Sequence, residues 1–248
     1  MTLRGILLDK DGTLIDFDGT WGPAAYEVMR TLACGDERKF MRLVEVSEYL
    51  LDERRFLPTS PLIAGSSAEY GPDWADVLGR PDTPDLYREM DTLFLRFGLQ
   101  SIAPIGEPAA VAHALRARGL RLGIATNDAE ASARAQANAL GLDGHLDFIA
   151  GYDSGFGGKP APGMVLGFAE AIGAPPETIA LIGDSLHDLS AARAAGSIAV
   201  LVLTGPLGGA ARTELAPHAD HVIGSIADLP ALVESLRAKS SPSRSPIS

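Results

Sequence analysis

Two pairs of aspartates in this sequence have the spacing of a divalent-cation site. Asp9 and Asp11 directly follow the apolar run Gly5–Leu8, and Asp184 and Asp188 follow a second apolar run. Side chains two apart at a strand end can face the same way, and side chains four apart share one face of a helix. Carboxylates gathered at two strand ends repel one another unless a cation lies among them. All-oxygen ligands of this kind favour Mg²⁺ over zinc or copper.

Two further segments carry groups that can hold a phosphate. Thr126 and Asn127 stand between an apolar run and a predicted helix, where a hydroxyl and free helix N–H groups favour an anion. Lys159 follows a third apolar run and the glycine-rich loop 151–158. A metal, a lysine and a helix N-terminus together predict phosphoryl transfer, in which catalysis depends on positioning and on neutralising charge.

The elements that must position these groups are short apolar runs that alternate with amphipathic stretches. Runs too short for helices, each closed by Asp, Asn or Gly, predict buried strands. These strands are Gly5–Leu8, Leu122–Ala125, Phe148–Ala150, Ile179–Ile182 and Ile198–Leu203. Glycines close the predicted helices, which are Pro108–Arg118, Ala129–Leu140, Pro162–Ile172 and Leu186–Ala195. The alternation predicts an α/β fold with a Rossmann-like parallel sheet, and ligands bind at the carboxyl ends of such strands.

The alternation is interrupted once, by a segment without a predicted strand. Glycines and prolines, Gly71 and Pro72 among them, predict loops there. Its predicted helices are Pro23–Ala33, Glu37–Leu51 and Pro84–Phe97. We therefore expect a catalytic core of residues 1–16 and 99–239 and a helical domain of residues 17–98. A Ser/Pro-rich tail, 240–248, is expected to be disordered.

Composition narrows the classes of protein and partner. The chain of 248 residues has a net charge of −11, so nucleic acid and anionic membranes are poor partners. One cysteine, Cys34, excludes a disulfide framework and a cysteine-ligated metal site. No apolar run reaches the length of a membrane span, and the first residues do not resemble a secretory signal. We expect a cytoplasmic protein, monomeric or homodimeric, that binds a small phosphorylated metabolite.

In these segments the sequence resembles the haloacid dehalogenase-like (HAD) hydrolases. Four motifs of that superfamily occur in order at four predicted strand ends, and together they span most of the chain outside the insertion and the tail. They are Asp9-Lys10-Asp11-Gly12-Thr13, then Thr126, then Lys159, and then Gly183-Asp184 with Asp188. The resemblance implies that segment 17–98 is a helical C1-type cap, as in the phosphoglycolate-phosphatase branch. Lys10 departs from the pattern, because an apolar residue is commoner there.

The resemblance also implies a role for each motif residue. Asp9 would attack phosphorus and form an aspartyl-phosphate, and Asp11 would protonate the leaving alcohol and later activate water. Mg²⁺ would be bound by Asp9, Asp184 and the Asp11 carbonyl, with Asp188 orienting Lys159 or a metal-bound water. Catalytic roles fall to Asp9, Asp11, Thr126 and Lys159, and phosphate contacts to Asp11, Gly12, Thr126, Asn127 and Lys159.

The predicted reaction is Mg²⁺-dependent hydrolysis of a small, phosphoglycolate-like phosphomonoester. A haloacid dehalogenase is the first alternative, and Asp11 argues against it because a halide leaving group needs no proton. A β-phosphoglucomutase-like phosphomutase would keep both aspartates of the first motif. A phosphometabolite-binding module without activity is the third alternative, although unneeded clustered carboxylates would cost stability.

Several side chains near the motifs have simpler interpretations. Asp16 and Asp18 repeat the first motif but are interpreted as a polar turn, and Lys10 is expected to face the cap or solvent. Arg54 and Arg55 are interpreted as a solvated helix face, with contact to a substrate carboxylate as the alternative. Trp21 and Trp74 are expected to pack within the cap, with substrate contact as the minority view, and His187 to have a surface or supporting role.

Overall fold

The fold is described from a computed structural model that covers residues 3–63 and 66–240. Its strands are β1 (Gly5–Leu8), β2 (Tyr49–Leu50), β3 (Arg55–Phe56), β4 (Arg121–Ala125), β5 (Phe148–Ala150), β6 (Ile179–Gly183), β7 (Ile198–Val202) and β8 (His221–Ile223). Six of them form one sheet in the order β5-β4-β1-β6-β7-β8, with every neighbouring pair parallel. The predicted α/β fold with a parallel sheet is confirmed.

Ten α-helices accompany the strands in the described part of the chain. They are α1 (Phe17–Ala33), α2 (Glu37–Val46), α3 (Ser67–Leu78), α4 (Pro84–Gln100), α5 (Pro108–Ala117), α6 (Glu130–Ala139), α7 (Gly163–Ala171), α8 (Leu186–Ala195), α9 (Gly209–Glu214) and α10 (Leu229–Ser240). None is both long and apolar enough to cross a membrane. The predicted disordered tail lies outside the described residues except for Ser240, where α10 ends.

The central strand β1 is buried on both faces of the sheet. Ile6 and Leu8 pack into one hydrophobic cluster, whereas Leu7, which points the other way, packs into a second. This burial explains why the strand is a continuous apolar run, since helices cover both faces of such a sheet. Because β4 and β6 flank β1, the residues that follow these three strands meet at one edge.

The inserted segment has a hydrophobic cluster of its own. Every buried member of this cluster lies between Phe17 and Phe94. Trp74 is fully buried in it and donates a hydrogen bond from Nε1 to Oγ of Ser47 at 3.1 Å. A separate cluster is what an inserted domain requires, because each domain must bury its own apolar surface. The domain boundaries given above stay a prediction that this separation supports.

Two connections join the insertion to the rest of the chain, and hydrogen bonds tie them together. The backbone N–H of Asp16 donates to the carbonyl of Ala103 at 2.8 Å. The Ala103 N–H donates to Oγ1 of Thr20 at 3.0 Å, and the Ser101 hydroxyl donates to the Thr20 carbonyl at 2.8 Å. The insertion is thus held at a single paired stem beside the carboxyl end of β1.

The insertion differs from the sequence prediction in helices α1, α2 and α3 and in the hairpin β2–β3. Helix α1 begins at Phe17 rather than Pro23, because the Asp16 carboxylate accepts a hydrogen bond from the Gly19 N–H and caps the helix. Helix α3 was predicted as a loop, since Gly71 and Pro72 lie within it. The small hairpin β2–β3 was not predicted, and α2 ends at Val46 as a result.

Outside the insertion, the described core follows the predicted order up to β7. Strand β8 was missed, because its three residues are only half-buried and give no clear apolar run. Helices α9 and α10 were also missed. Strand β8 is parallel to β7 and ends at the same edge of the sheet, but none of these three elements contains a predicted site residue.

Because the clusters are separate, we expect that the insertion can lose stability while the sheet keeps its own. Trp74→Ala removes a buried indole and is expected to lower the free energy of unfolding of the insertion by about 3–5 kcal/mol. Hydrogen exchange measured by mass spectrometry should then show faster exchange across residues 17–98 and little change in β1, β4 and β6. Phe168→Ala, at a fully buried position of the sheet cluster, is the matched control and should do the reverse. Equal loss of protection in both parts with either variant would refute two separately stabilised units.

Candidate active site

The predicted site residues gather in one pocket at the carboxyl edge of the sheet. Asp9 follows β1, Thr126 follows β4 and Asp184 follows β6. Lys159 reaches the same place from the loop after β5. Strands adjacent in the sheet, although distant in the chain, bring these groups together.

Lys159 forms the central contact of the pocket. Its Nζ lies 2.5 Å from Oδ1 of Asp9 and 2.7 Å from Oδ1 of Asp188, and it also donates to the Ala125 carbonyl at 2.9 Å. Its side chain is only 5% exposed, and burial alone would lower the pKa of its ammonium group. Asp188 and Asp9 raise that pKa by more, so the net shift is upward and Lys159 stays charged.

Asp188 is held in place by the first turn of α8. Its Oδ2 accepts hydrogen bonds from the Ser185 hydroxyl at 2.6 Å and from the Ser185 N–H at 3.2 Å. These contacts form a capping box in which Ser185 is the N-cap residue. Its other carboxylate oxygen is therefore directed at Lys159, which is the position expected of a residue that orients this lysine.

Three carboxylates of the pocket lie close enough to share a cation. One oxygen from each of Asp9, Asp184 and Asp188 lies within 4.8 Å of the other two, and all three side chains are buried. Burial, with repulsion from Asp188, raises the pKa of Asp9 to about 7 despite Lys159. Burial, with repulsion from Asp9, raises the pKa of Asp184 well above its usual value. A divalent cation would offset both costs, so this donor set fits Mg²⁺.

Two glycines make room for the Asp184 carboxylate. A Cβ at Gly12, where φ is +77°, would lie 2.5 Å from Oδ2 of Asp184, and a Cβ at Gly205 would lie 1.9 Å from the same oxygen. Thr204 donates from Oγ1 to the Gly12 carbonyl at 2.6 Å and joins the two loops. Sequence analysis missed Thr204 and Gly205, although they follow the predicted strand that ends at Leu203 and could have been found there.

Asp11 is turned away from the carboxylate cluster. Its carboxylate lies 2.7 Å from Nζ of Lys10, accepts a hydrogen bond from Nε1 of Trp21, and accepts one from Oγ1 of Thr126 at 3.4 Å. The resemblance implies that Asp11 binds Mg²⁺ through its backbone carbonyl and not through its side chain. The orientation of the side chain therefore does not test that prediction. The side chain instead sits where it can exchange a proton with a group in the pocket.

Lys10 does not face solvent, as one alternative had allowed. Its side chain is 1% exposed and pairs with Asp11 and, at 3.1 Å, with Asp128. Its Nζ also lies 4.7 Å from the centre of the Trp21 ring. Burial would lower the pKa of Lys10, but these two carboxylates raise it by more. Lys10 therefore supplies a positive charge next to the Asp11 carboxylate. Trp21 contacts this carboxylate as well as its own hydrophobic cluster.

Thr126 and Asn127 connect the end of β4 to the lysine loop. Oγ1 of Thr126 accepts a hydrogen bond from the Asp128 N–H at 3.1 Å. The Asn127 side chain accepts from the Lys159 N–H at 2.8 Å and donates to the Lys159 carbonyl at 3.0 Å. Asn127 thus fixes the backbone of Lys159. Phosphate contacts by Gly12, Thr126 and Asn127 stay predictions.

The remaining predictions near the motifs have mixed outcomes. Asp16 caps α1, and Asp18 accepts a 3.4 Å hydrogen bond from the Phe56 N–H, so neither belongs to the carboxylate cluster. Arg54 and Arg55 lie in the hairpin region and not on a helix, and neither lines the pocket. His187 does line it, beside Ser185, and its Nδ1 is buried without a hydrogen-bond partner.

The insertion supplies the other wall of the pocket. Most of its contribution is apolar, and the residues are Phe17, Trp21, Phe56, Leu62, Ile63, Tyr70 and Phe94. Polar groups reach the pocket from the insertion through Ser66, Ser67 and Asp91, and from the core through Tyr152. Sequence analysis named none of these four polar residues, because only tertiary contacts among α3, α4 and the loop after β5 bring them together.

A family model for haloacid dehalogenase-like hydrolases matches residues 3–196. A phosphoglycolate phosphatase from Aquifex aeolicus is 28% identical over 203 residues, which are 82% of this chain and 86% of that protein. A phosphoglycolate phosphatase from Nitrosospira multiformis is 30% identical over 197 residues, 79% and 82% of the two chains.

A solved structure shows the same fold at lower identity. The β-phosphoglucomutase of Clostridium difficile superposes with a TM-score of 0.66 at 16% identity, and the match covers 96% of this chain and 99% of that one. The family match spans the first and last predicted motifs, from Asp9 to Asp188. The chain belongs to the haloacid dehalogenase-like hydrolases.

Proposed function

We propose that this protein is a phosphatase that hydrolyses a small phosphomonoester through a phosphorylated Asp9. The observation that carries the proposal is the contact of Lys159 with both Asp9 and Asp188 in the pocket that the core and the insertion line together. A buried cation beside a carboxylate at a strand end is suited to a nucleophile that must approach an anionic phosphate. The phosphoglycolate phosphatases among its relatives support the same reaction class.

The first step transfers the phosphoryl group to Asp9. A carboxylate oxygen of Asp9 forms a bond to phosphorus as the bond between phosphorus and the ester oxygen breaks. Asp11 donates a proton to that departing oxygen, so the alcohol leaves neutral. Lys159 and the Thr126 hydroxyl hold the phosphoryl oxygens during this transfer.

The second step returns Asp9 to its starting form. Asp11, now a carboxylate, removes a proton from water, and the water oxygen attacks phosphorus. The bond between phosphorus and the Asp9 oxygen then breaks and releases inorganic phosphate. Lys10 and the Trp21 N–H hold Asp11 in one place for both proton transfers, because the same group must act first as acid and then as base.

The carboxylates of Asp9 and Asp184, with the Asp11 carbonyl, would hold a Mg²⁺ ion. Bound there, the ion supplies positive charge that neutralises the transferring phosphoryl group and orients it toward Asp9. Asp188 makes its contacts with Lys159 and Ser185, so its role is to position the lysine. Gly12 and Gly205 keep the space that the Asp184 carboxylate needs.

The insertion would act as a cap of the C1 type that encloses the alcohol part of the substrate. A phosphomutase is the second candidate, since a β-phosphoglucomutase has the same fold, but that likeness is of fold alone. Among the residues that the structure describes, no side chain distinguishes the two reactions. Isomerisation of a sugar phosphate by the protein would identify a phosphomutase. A cytoplasmic location, a monomeric or homodimeric state and the lack of nucleic-acid partners stay predictions.

Asp9→Asn should abolish turnover, because an amide is not a nucleophile toward phosphorus. The expected loss in kcat is about 10⁴-fold or more, measured as phosphate release from para-nitrophenyl phosphate. Asp16→Asn is the matched control from the repeated motif, where asparagine also caps a helix, and its kcat should stay within about twofold of wild type. Activity near wild type in Asp9→Asn, with circular dichroism showing a folded chain, would exclude Asp9 as the nucleophile.

Removing divalent metal should stop turnover and lower stability. After chelation, Mg²⁺ should restore activity and raise the free energy of unfolding by about 2.7 kcal/mol at about 100 times its dissociation constant. Asp184→Asn should lose most of this stabilisation, whereas Asp52→Asn, at an exposed site, should keep it. Thermal denaturation with and without Mg²⁺ measures the shift independently of activity. Equal Mg²⁺ stabilisation of wild type and Asp184→Asn would contradict the assignment.

A further inference from the structure

We propose that the pocket selects an uncharged alcohol with a hydrocarbon body and a hydrogen-bond donor at its far end, and that it disfavours leaving groups that carry a carboxylate. This inference rests on the proposed phosphatase function and adds the substrate class. It comes from the wall that the insertion contributes, which we call the hydrophobic wall: Phe17, Trp21, Phe56, Leu62, Ile63, Tyr70 and Phe94.

The hydrophobic wall is formed by packed aromatic rings. The rings of Trp21 and Phe94 meet edge to face at 5.9 Å between centroids, and Tyr70 packs against Phe94 at 6.4 Å. Phe17 and Phe56 lie 5.6 Å apart. Such a surface stabilises a hydrocarbon group, but a carboxylate placed against it would lose water without gaining a partner.

Positive charge is scarce among the described residues that line the pocket. This lining contains one lysine, Lys159, one histidine, His187, and no arginine. His187 lies beside Ser185. Lys159 contacts two carboxylates already, and its place is at the phosphoryl end. A carboxylate on the leaving group would therefore have no lysine or arginine to pair with at the hydrophobic wall.

None of the eight arginines of the insertion lines the pocket, and six of them make contacts elsewhere. Arg54 lies over the Tyr26 ring, 4.4 Å from its centre, and Arg55 pairs with Glu53. Four more pair with surface carboxylates, and these are Arg30, Arg42, Arg80 and Arg88. The alternative in which Arg54 or Arg55 contacts a substrate carboxylate thus finds no support in the pocket lining.

The one charged group in the insertion's part of the lining is negative. Asp91 accepts hydrogen bonds from the Ser67 hydroxyl and, at 2.9 Å, from the Tyr152 hydroxyl. Burial raises the pKa of Asp91, and the two hydroxyl donors only partly offset this. A carboxylate oxygen can accept more than one hydrogen bond, so Asp91 can receive a further donor from a ligand. It would attract a hydroxyl or an amide N–H and repel a carboxylate.

A matched pair of esters tests the inference directly. Para-hydroxymethylbenzyl phosphate and para-carboxybenzyl phosphate share the same benzylic leaving oxygen and differ at the far end in charge. Wild type is expected to hydrolyse the hydroxymethyl ester with a kcat/KM at least about tenfold higher. Phosphoglycolate, tested beside them, is expected to be poorer than the hydroxymethyl ester.

Asp91→Asn keeps the shape of the side chain and its acceptor for Tyr152 but removes the negative charge. The preference for the hydroxymethyl ester should fall at least about threefold in this variant, mainly through KM. Asp85→Asn, at an exposed position of the same helix, is the matched control and should keep the wild-type ratio. An unchanged ratio in Asp91→Asn would overturn the role of Asp91.

The outcomes separate this inference from the function on which it rests. Phosphate release from both esters with an equal or higher kcat/KM for the carboxylate overturns the inference and leaves the phosphatase intact. If His187→Gln then removes that activity, the carboxylate is bound by His187 and not excluded. No phosphate release from any of the three esters with Mg²⁺ present overturns the proposed function, and the inference with it.

Discussion

The ammonium group of Lys159 is buried between the carboxylates of Asp9 and Asp188, and this contact sets the arrangement of the other groups. Removing one partner of a buried ion pair leaves an uncompensated charge, at a cost of about 3–5 kcal/mol. Asn127 holds the backbone of Lys159 from one side, and Ser185 holds Asp188 from the other. The segments that follow β1, β5 and β6 are therefore fixed relative to one another by charge as well as by the sheet.

The site still carries more negative than positive charge. Five carboxylates face two ammonium groups: Asp9, Asp11, Asp128, Asp184 and Asp188 surround Lys10 and Lys159. Burial, with repulsion from neighbouring carboxylates, raises the pKa values of Asp9 and Asp184. A divalent cation and the phosphoryl group of a substrate bring charges that complement each other there. Repulsion among these carboxylates therefore favours binding of a divalent cation together with a phosphoryl group.

Local patterns predicted the sheet and the motif residues because both depend on short stretches of chain. The run Gly5–Leu8 is apolar since both faces of β1 are covered, and Asp9 must follow it at the edge of the sheet. Contacts between distant segments could not be predicted in this way. Alternation along the strand did not reveal that Lys10 is buried between Asp11 and Asp128, and α3 was hidden by Gly71 and Pro72. Asp91 and Tyr152 meet only because α4 packs over the loop that follows β5.

The most direct measurement is to identify the residue that carries phosphate during turnover. The enzyme would be mixed with para-nitrophenyl phosphate and Mg²⁺, quenched in acid, and treated with borohydride, which reduces an acyl phosphate on aspartate to homoserine. Peptide mass spectrometry should then find homoserine at position 9, in a fraction that depends on substrate and is absent in Asp9→Asn. Homoserine at Asp16 or Asp184, or phosphate release with no modified aspartate at any quench time, would contradict the account.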